Sequence, residues 1–180
     1  NESDYTSLIK IVENLTGFKI NTIKVTDYNA AVEAMRAGRA HIAWYGGKTY
    51  VKAAEIAYAE AFAAGVRKGD SDASYFAYFV VPSDSELMTL KDVKGTKLAL
   101  NSIGSTSGDL IPQVELMKAG LSVKNKDDFE RVFYAGSHDA CLMAAINKHV
   151  DVCGMSSRNF DARVADGTLD PSKVRIIHRS

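Results

Sequence analysis

Apolar positions along the chain switch repeatedly between a helical and a strand period. Leu8, Ile9, Ile11, Val12 and Leu15 recur at helical spacing and predict an amphipathic helix over 5–16, stopped by Gly17. Residues 19–25 alternate around Ile20, Ile23 and Val25 as a half-buried strand would, and Thr26-Asp27 offers N-cap chemistry for a helix over 28–37 that Gly38 ends. His41 to Tyr45 reads as a short apolar strand broken by Gly46-Gly47, with a further helix over 48–57. After a loop rich in Gly, Asp and Ser at 68–74, the aromatic and β-branched run 75–81 predicts a strand ended by Pro82.

From Leu87 the pattern restarts with a short helix to Val93 and a strand over 97–100. Helices then fit 106–119, 138–148 and 157–165, and strands fit 131–134, 150–153 and 173–178. Alternation of this kind predicts an α/β fold with largely parallel sheets. The change near 82–87 predicts a hinge between two α/β lobes with a cleft between them. The first lobe, 1–84 with the hinge strand, is expected to be incomplete, because it begins on a helix without the strand that should precede it. The second, 85–180, has a full set of strands.

Composition narrows the functional classes. Lys+Arg and Asp+Glu are both 22, so no excess of positive charge exists for nucleic acid, and any anion must be held by local geometry. No run approaches the ~20 apolar residues of a membrane span. A chain that opens at Asn1 directly into a helical pattern reads as processed or as lacking its own beginning.

The strongest chemical signal is Gly104-Ser105-Thr106-Ser107-Gly108, set between a strand and an apolar-periodic helix. A helix start leaves backbone N–H groups unpaired and carries roughly +0.5 elementary charge, so three hydroxyl residues there form an oxyanion cradle. Asp109 argues against a highly charged anion unless its side chain points away. The Lys of a P-loop is absent. Gly136-Ser137-His138-Asp139 opens a second helix after a strand and places His138 toward the same cradle, since strand-to-helix loops share one end of a parallel sheet. Tyr28, Trp44, Tyr45 and Tyr75 stand at the ends of elements, where they suit a pocket that encloses a small ligand.

Enzymatic chemistry is not expected. The pattern GxSxG is met only with Thr106 at its centre, and adjacent His138 and Asp139 point in different directions, unlike a triad. The four histidines are scattered over separate elements without metal-ligand spacing, so no metal or cofactor is called for. Cys141 and Cys153 read as two small buried hydrophobes, although an antiparallel helix and strand could bring them together at the pocket end.

Taken in order, Asp27-Tyr28, Ile42-Ala-Trp-Tyr-Gly46, Tyr75, Ser105-Thr-Ser-Gly108, Ala135-Gly-Ser-His138, 147–152 and 170–175 resemble the phosphonate/phosphite-binding proteins of ABC importers. The resemblance implies a type II periplasmic-binding-protein fold and a periplasmic or lipid-anchored receptor that hands a small oxyanion to a membrane permease. It implies that Ser105, Thr106, Ser107 and His138 bind the oxyanion from the second lobe. Tyr28 and Tyr75 approach from the first lobe and hinge, and Trp44 and Tyr45 shape the wall. Aminoalkylphosphonate binders of the family carry an acidic residue where this chain has Arg158, so the resemblance points to phosphite, hypophosphite or a small alkylphosphonate lacking an amine. The alternative is a sensory binding protein that presents an oxyanion such as arsenite to a membrane kinase, through Cys141 and Cys153.

Overall fold

A computed structural model describes residues 5–180 except Thr26 and Lys68. The expected roles of Thr26 in capping and of Lys68 in a loop lie outside the described residues. Three helices come first: α1 (Thr6–Thr16), α2 (Tyr28–Arg36) and α3 (Gly47–Ala57). Strand β1 (Ala77–Pro82) follows, then β2 (Lys97–Leu100), a π-helical turn (Thr106–Leu110) running directly into α4 (Ile111–Lys118), and β3 (Arg131–Tyr134). The chain continues through α5 (His138–Ile146), β4 (Val152–Ser156), α6 (Ser157–Ala165) and β5 (Val174–Arg179).

The five strands form one sheet in the order β3-β2-β4-β1-β5. β2 runs parallel to β3 and β4, whereas β1 is antiparallel to both β4 and β5. The sheet is therefore mixed, and less parallel than the alternating pattern predicts. β1 enters it without a crossover helix before it, so no βαβ unit imposes its direction.

All six residues of β1 are buried. Period-two alternation sends Tyr78 and Val80 to one face with Ala99, Cys153 and Met155, under α5 and α6. Phe79 and Val81 go to the other face with Leu98, Leu100 and Leu116, under α4. α4 comes in close because Gly154 has no side chain: a Cβ there would meet Pro112 Cγ at 3.1 Å and Leu100 Cδ2 at 3.3 Å. Cys141 of α5 and Cys153 of β4 are fully buried and joined in a disulfide, with Cα atoms 5.6 Å apart.

Two expected strands do not form. Neither 19–25 nor 41–45 pairs with another strand among the described residues, and Ile23 and Ile42 are more than half exposed. The alternation is present, but a strand exists only where a neighbouring edge takes up its N–H and C=O groups. Residues 5–76 consequently carry three helices and no described strand, and 77–180 carry the whole sheet. The short helix expected over 87–93 is a 3₁₀ turn, Leu90–Val93, closed by a capping box between Thr89 and Asp92.

Candidate functional site

The carboxyl ends of the parallel strands β2 and β3 lead into the two glycine loops, and each loop ends in a capped helix start. Ser105 Oγ accepts from Gly108 N–H at 3.0 Å, and Ser137 Oγ accepts from Ala140 N–H at 3.0 Å. The first helix opens as a π turn, with Leu110 N–H bonded to Ser105 O at 3.1 Å, a widened geometry common at functional sites. Ser105 and Ser107 are buried and Thr106 is partly so.

Helices of the N-terminal part dock onto this turn. Lys48 N–H, left unpaired by its place in the first turn of α3, donates to Thr106 Oγ1 at 2.9 Å. Thr49 Oγ1 donates to Gly104 O at 2.9 Å. Tyr28, first residue of α2, covers Gly104, where a Cβ would meet its own Cβ at 3.2 Å. Tyr75 brings its hydroxyl beside Gly46 together with Thr106: a Cβ on Gly46 would lie 3.7 Å from Tyr75 Oη and 3.1 Å from Thr106 Oγ1.

His138 lies against Gly108, where a Cβ would meet its Cε1 at 3.0 Å. Burial pushes its pKa down to about 4, against the smaller opposing pull of Asp139, so the ring is neutral at neutral pH. Nδ1 accepts from Ser156 N–H at 3.3 Å, at the start of α6, which leaves the proton on Nε2. Nε2 faces the side-chain amide of Asn101 at 3.1 Å, and the same amide end lies 3.2 Å from Ser105 Oγ. A protonated Nε2 requires the amide oxygen at that end. The other end of Asn101, a residue only 1% exposed, has no partner among the described residues. It is a buried polar group at the base of the cradle.

Asp109 sits on the cradle helix at 1% exposure. Burial acts to raise its pKa, but hydrogen bonds from Lys48 and Tyr134, with the Lys48 charge, hold it below the ordinary carboxylate range. Tyr134 Oη donates at 2.8 Å, and burial together with that bond pushes the phenol up to about 12. Lys48 Nζ pairs with the same carboxylate, so its charge is matched inside the protein. The starts of α2, α3, α5, α6 and of the helix beginning at Thr106 thus gather around hydroxyl and amide groups, while the adjacent ion pair is self-neutralising.

Of the residues singled out from the sequence, Ser105, Thr106, Ser107, His138, Tyr28 and Tyr75 are brought together. Trp44 and Tyr45 are not. Trp44 packs against Gly65 and lies 6.4 Å, centroid to centroid, from the Tyr5 ring, and it is 61% exposed. Tyr45 turns to α2, donating to Ala31 O at 3.2 Å. Sequence reasoning missed Asn101, Lys48 and Thr49. A polar residue ending the apolar strand 97–100 was a signal for Asn101. Lys48 and Thr49 open a helix from another part of the chain, and only folding places them here.

Comparison with known proteins places this architecture. A family model described as the periplasmic phosphonate substrate-binding protein of ABC transporters matches residues 1–180. The chain is 28% identical to the phosphonates-binding periplasmic protein of Escherichia coli K12, over 98% of this chain and 52% of that protein. It is 31% identical to a probable ABC transporter phosphite binding protein, PhnD1, of Prochlorococcus marinus MIT 9301, over 88% of this chain and 54% of that protein. The solved structure of PhnD1 in complex with methylphosphonate superimposes with a TM-score of 0.84 at 22% identity, over 99% of this chain and 66% of that one. The chain spans about half the length of the curated relatives it matches. Its fold is the expected α/β fold of type II periplasmic binding proteins, in part. This chain belongs to the phosphonate-binding periplasmic protein family of ABC transporters.

Proposed function

We propose that this chain is the ligand-capturing portion of a periplasmic receptor for an ABC importer, and that it takes up a small reduced-phosphorus oxyanion: phosphite, hypophosphite or a small alkylphosphonate. The observation that carries the reading is the cradle, where helix starts converge on Ser105, Thr106, Ser107, His138 and the buried Asn101 amide, and the nearby Lys48 is matched by Asp109. Such a site suits a small anion better than a polyanion, because its attraction comes from dipoles and donors. Ser105, Thr106 and Ser107 donate to the ligand oxygens, with the Ser105 hydroxyl and His138 Nε2–H turning to them from the Asn101 amide oxygen, and Tyr28 and Tyr75 close over them. The proposed division at 84/85 separates the lobes that enclose the ligand, with the hinge strand β1 counted in the first although it pairs with β4 and β5 of the second.

Binding proceeds without covalent chemistry. In keeping with that reading, the His138 ring nitrogens face Ser156 N–H and the Asn101 amide. The buried disulfide supports an oxidising, periplasmic location. It also removes both thiols from the competing reading, a sensor that captures arsenite through Cys141 and Cys153 for a membrane kinase. The partner is then the importer's membrane permease. Calorimetric titration with phosphite, hypophosphite, methylphosphonate, phosphate and arsenite tests the proposal. Saturable binding of one of the three reduced-phosphorus ligands, tighter than phosphate, is expected; binding of arsenite alone would overturn it.

A further inference from the structure

A second space, of about 360 Å³, lies on the other side of Tyr75 from the cradle residues. The two share Tyr75, whose ring lines this cavity and whose hydroxyl reaches Gly46 and Thr106. The cavity is charged, and its charges are unequally matched. Arg67 takes Asp161 at 3.1 Å and Asp70 at 3.3 Å. Asp72 is bonded by Ser74 N–H at 2.7 Å and by the hydroxyls of Ser74 and Ser71, within the field of Arg158. Two cations make no direct ion pair with a carboxylate among the described residues. Arg179 stacks on the Phe76 ring, and Arg158 lies 5.1 Å from the centroid of Tyr75.

Arg158 is the better placed of the two. Its Nη2 spends both N–H groups on Gly65 O at 3.0 Å and Ala73 O at 2.7 Å, which fixes the guanidinium against the cavity wall. Nε–H is buried without a partner, and no hydrogen bond from Nη1 to a described residue is formed. A cation held rigidly in this way, with donors to spare, is preorganised for a planar anion.

Resting on the cradle as the phosphorus-oxyanion site, we infer that Arg158 and its cavity form a subsite for a second anionic group on the ligand, a carboxylate one or two carbons from phosphorus. The chain then selects phosphonocarboxylates over aminoalkylphosphonates. An ammonium in this cavity meets Arg158 and Arg179, while Asp70, Asp72 and Asp161 are already engaged.

The test is a titration of the chain with phosphonoacetate, 2-aminoethylphosphonate and propylphosphonate, which put a carboxylate, an ammonium and a methyl at similar reach, beside methylphosphonate. Phosphonoacetate is expected to bind about tenfold or more tighter than either extended analogue. In a folded Arg158→Gln protein that preference should fall to within about threefold. Methylphosphonate bound while phosphonoacetate is bound no tighter than the amine, or a folded R158Q that keeps the preference, overturns the subsite and leaves the cradle standing. If none of the four ligands binds, the subsite falls, and the cradle reading falls with it if phosphite and hypophosphite are refused as well. The panel on the parent decides the matter even if R158Q fails to fold.

Discussion

Thr106→Val is the sharpest perturbation of the cradle, because it keeps the β-branched shape and deletes one oxygen. That oxygen has two duties. It accepts Lys48 N–H at 2.9 Å, joining α3 to the cradle turn, and its own proton is the donor proposed for a ligand oxygen. Losing a hydrogen bond to a charged ligand costs about 1.5–3 kcal/mol, or roughly 10- to 150-fold in Kd. Leaving the partly buried Lys48 N–H unpaired adds about 1 kcal/mol of stability loss, present with and without ligand. The assay is calorimetric titration with phosphite and methylphosphonate, with thermal unfolding in parallel to separate the two effects. Thr106→Ser, which restores the hydroxyl, should recover most of the affinity. A folded Thr106→Val protein whose Kd lies within about twofold of the parent would refute the role given to this hydroxyl.

Gly108→Ala should destabilise the cradle by about 1–3 kcal/mol or more and lower the melting temperature, since the new Cβ falls 2.3 Å from Asn101 Cβ; unchanged melting would contradict that packing. Acid should destabilise the protein through His138. Its folded pKa of about 4 lies below the ordinary value near 6.5, so between those pH values the unfolded chain binds a proton that the folded one refuses, and stability falls as pH falls. The loss approaches about 3 kcal/mol at the acid end, and denaturant unfolding at pH 7 and pH 4.5 should show it reduced in His138→Gln; equal slopes in both proteins would sink the assignment. Cys141→Ser/Cys153→Ser should retain oxyanion binding and lose about 2–4 kcal/mol of stability, so a well-folded double variant that binds nothing would show that the bridge shapes the pocket.

Each element from β1 onward was legible in the sequence, within a few residues, because it combines a clear apolar period with its own stop signal. β1 shows this best: six consecutive buried residues, between β4 and β5, come from the aromatic and β-branched run that Pro82 ends. The capped helix starts of the proposed cradle were legible for the same local reason. Ser105 and Ser137 cap helices, and capping is written in a few adjacent residues.

What the sequence could not supply is pairing between distant segments. The alternation at 19–25 is real, yet a strand is a property of two backbones, and no described neighbour offers an edge to these residues. Trp44 and Tyr28 look alike as aromatics at element ends. Their fates separate only because α2 docks its first residue on Gly104 while Trp44 packs against Gly65. Asp109, which in sequence argued against a charged ligand, is silenced by Lys48, sixty-one positions away, together with Tyr134. Periodicity and capping are short-range and belong to the sequence. Neutralisation of a buried charge, protonation of a ring and the meeting of helix starts depend on distances that exist only once the chain has folded.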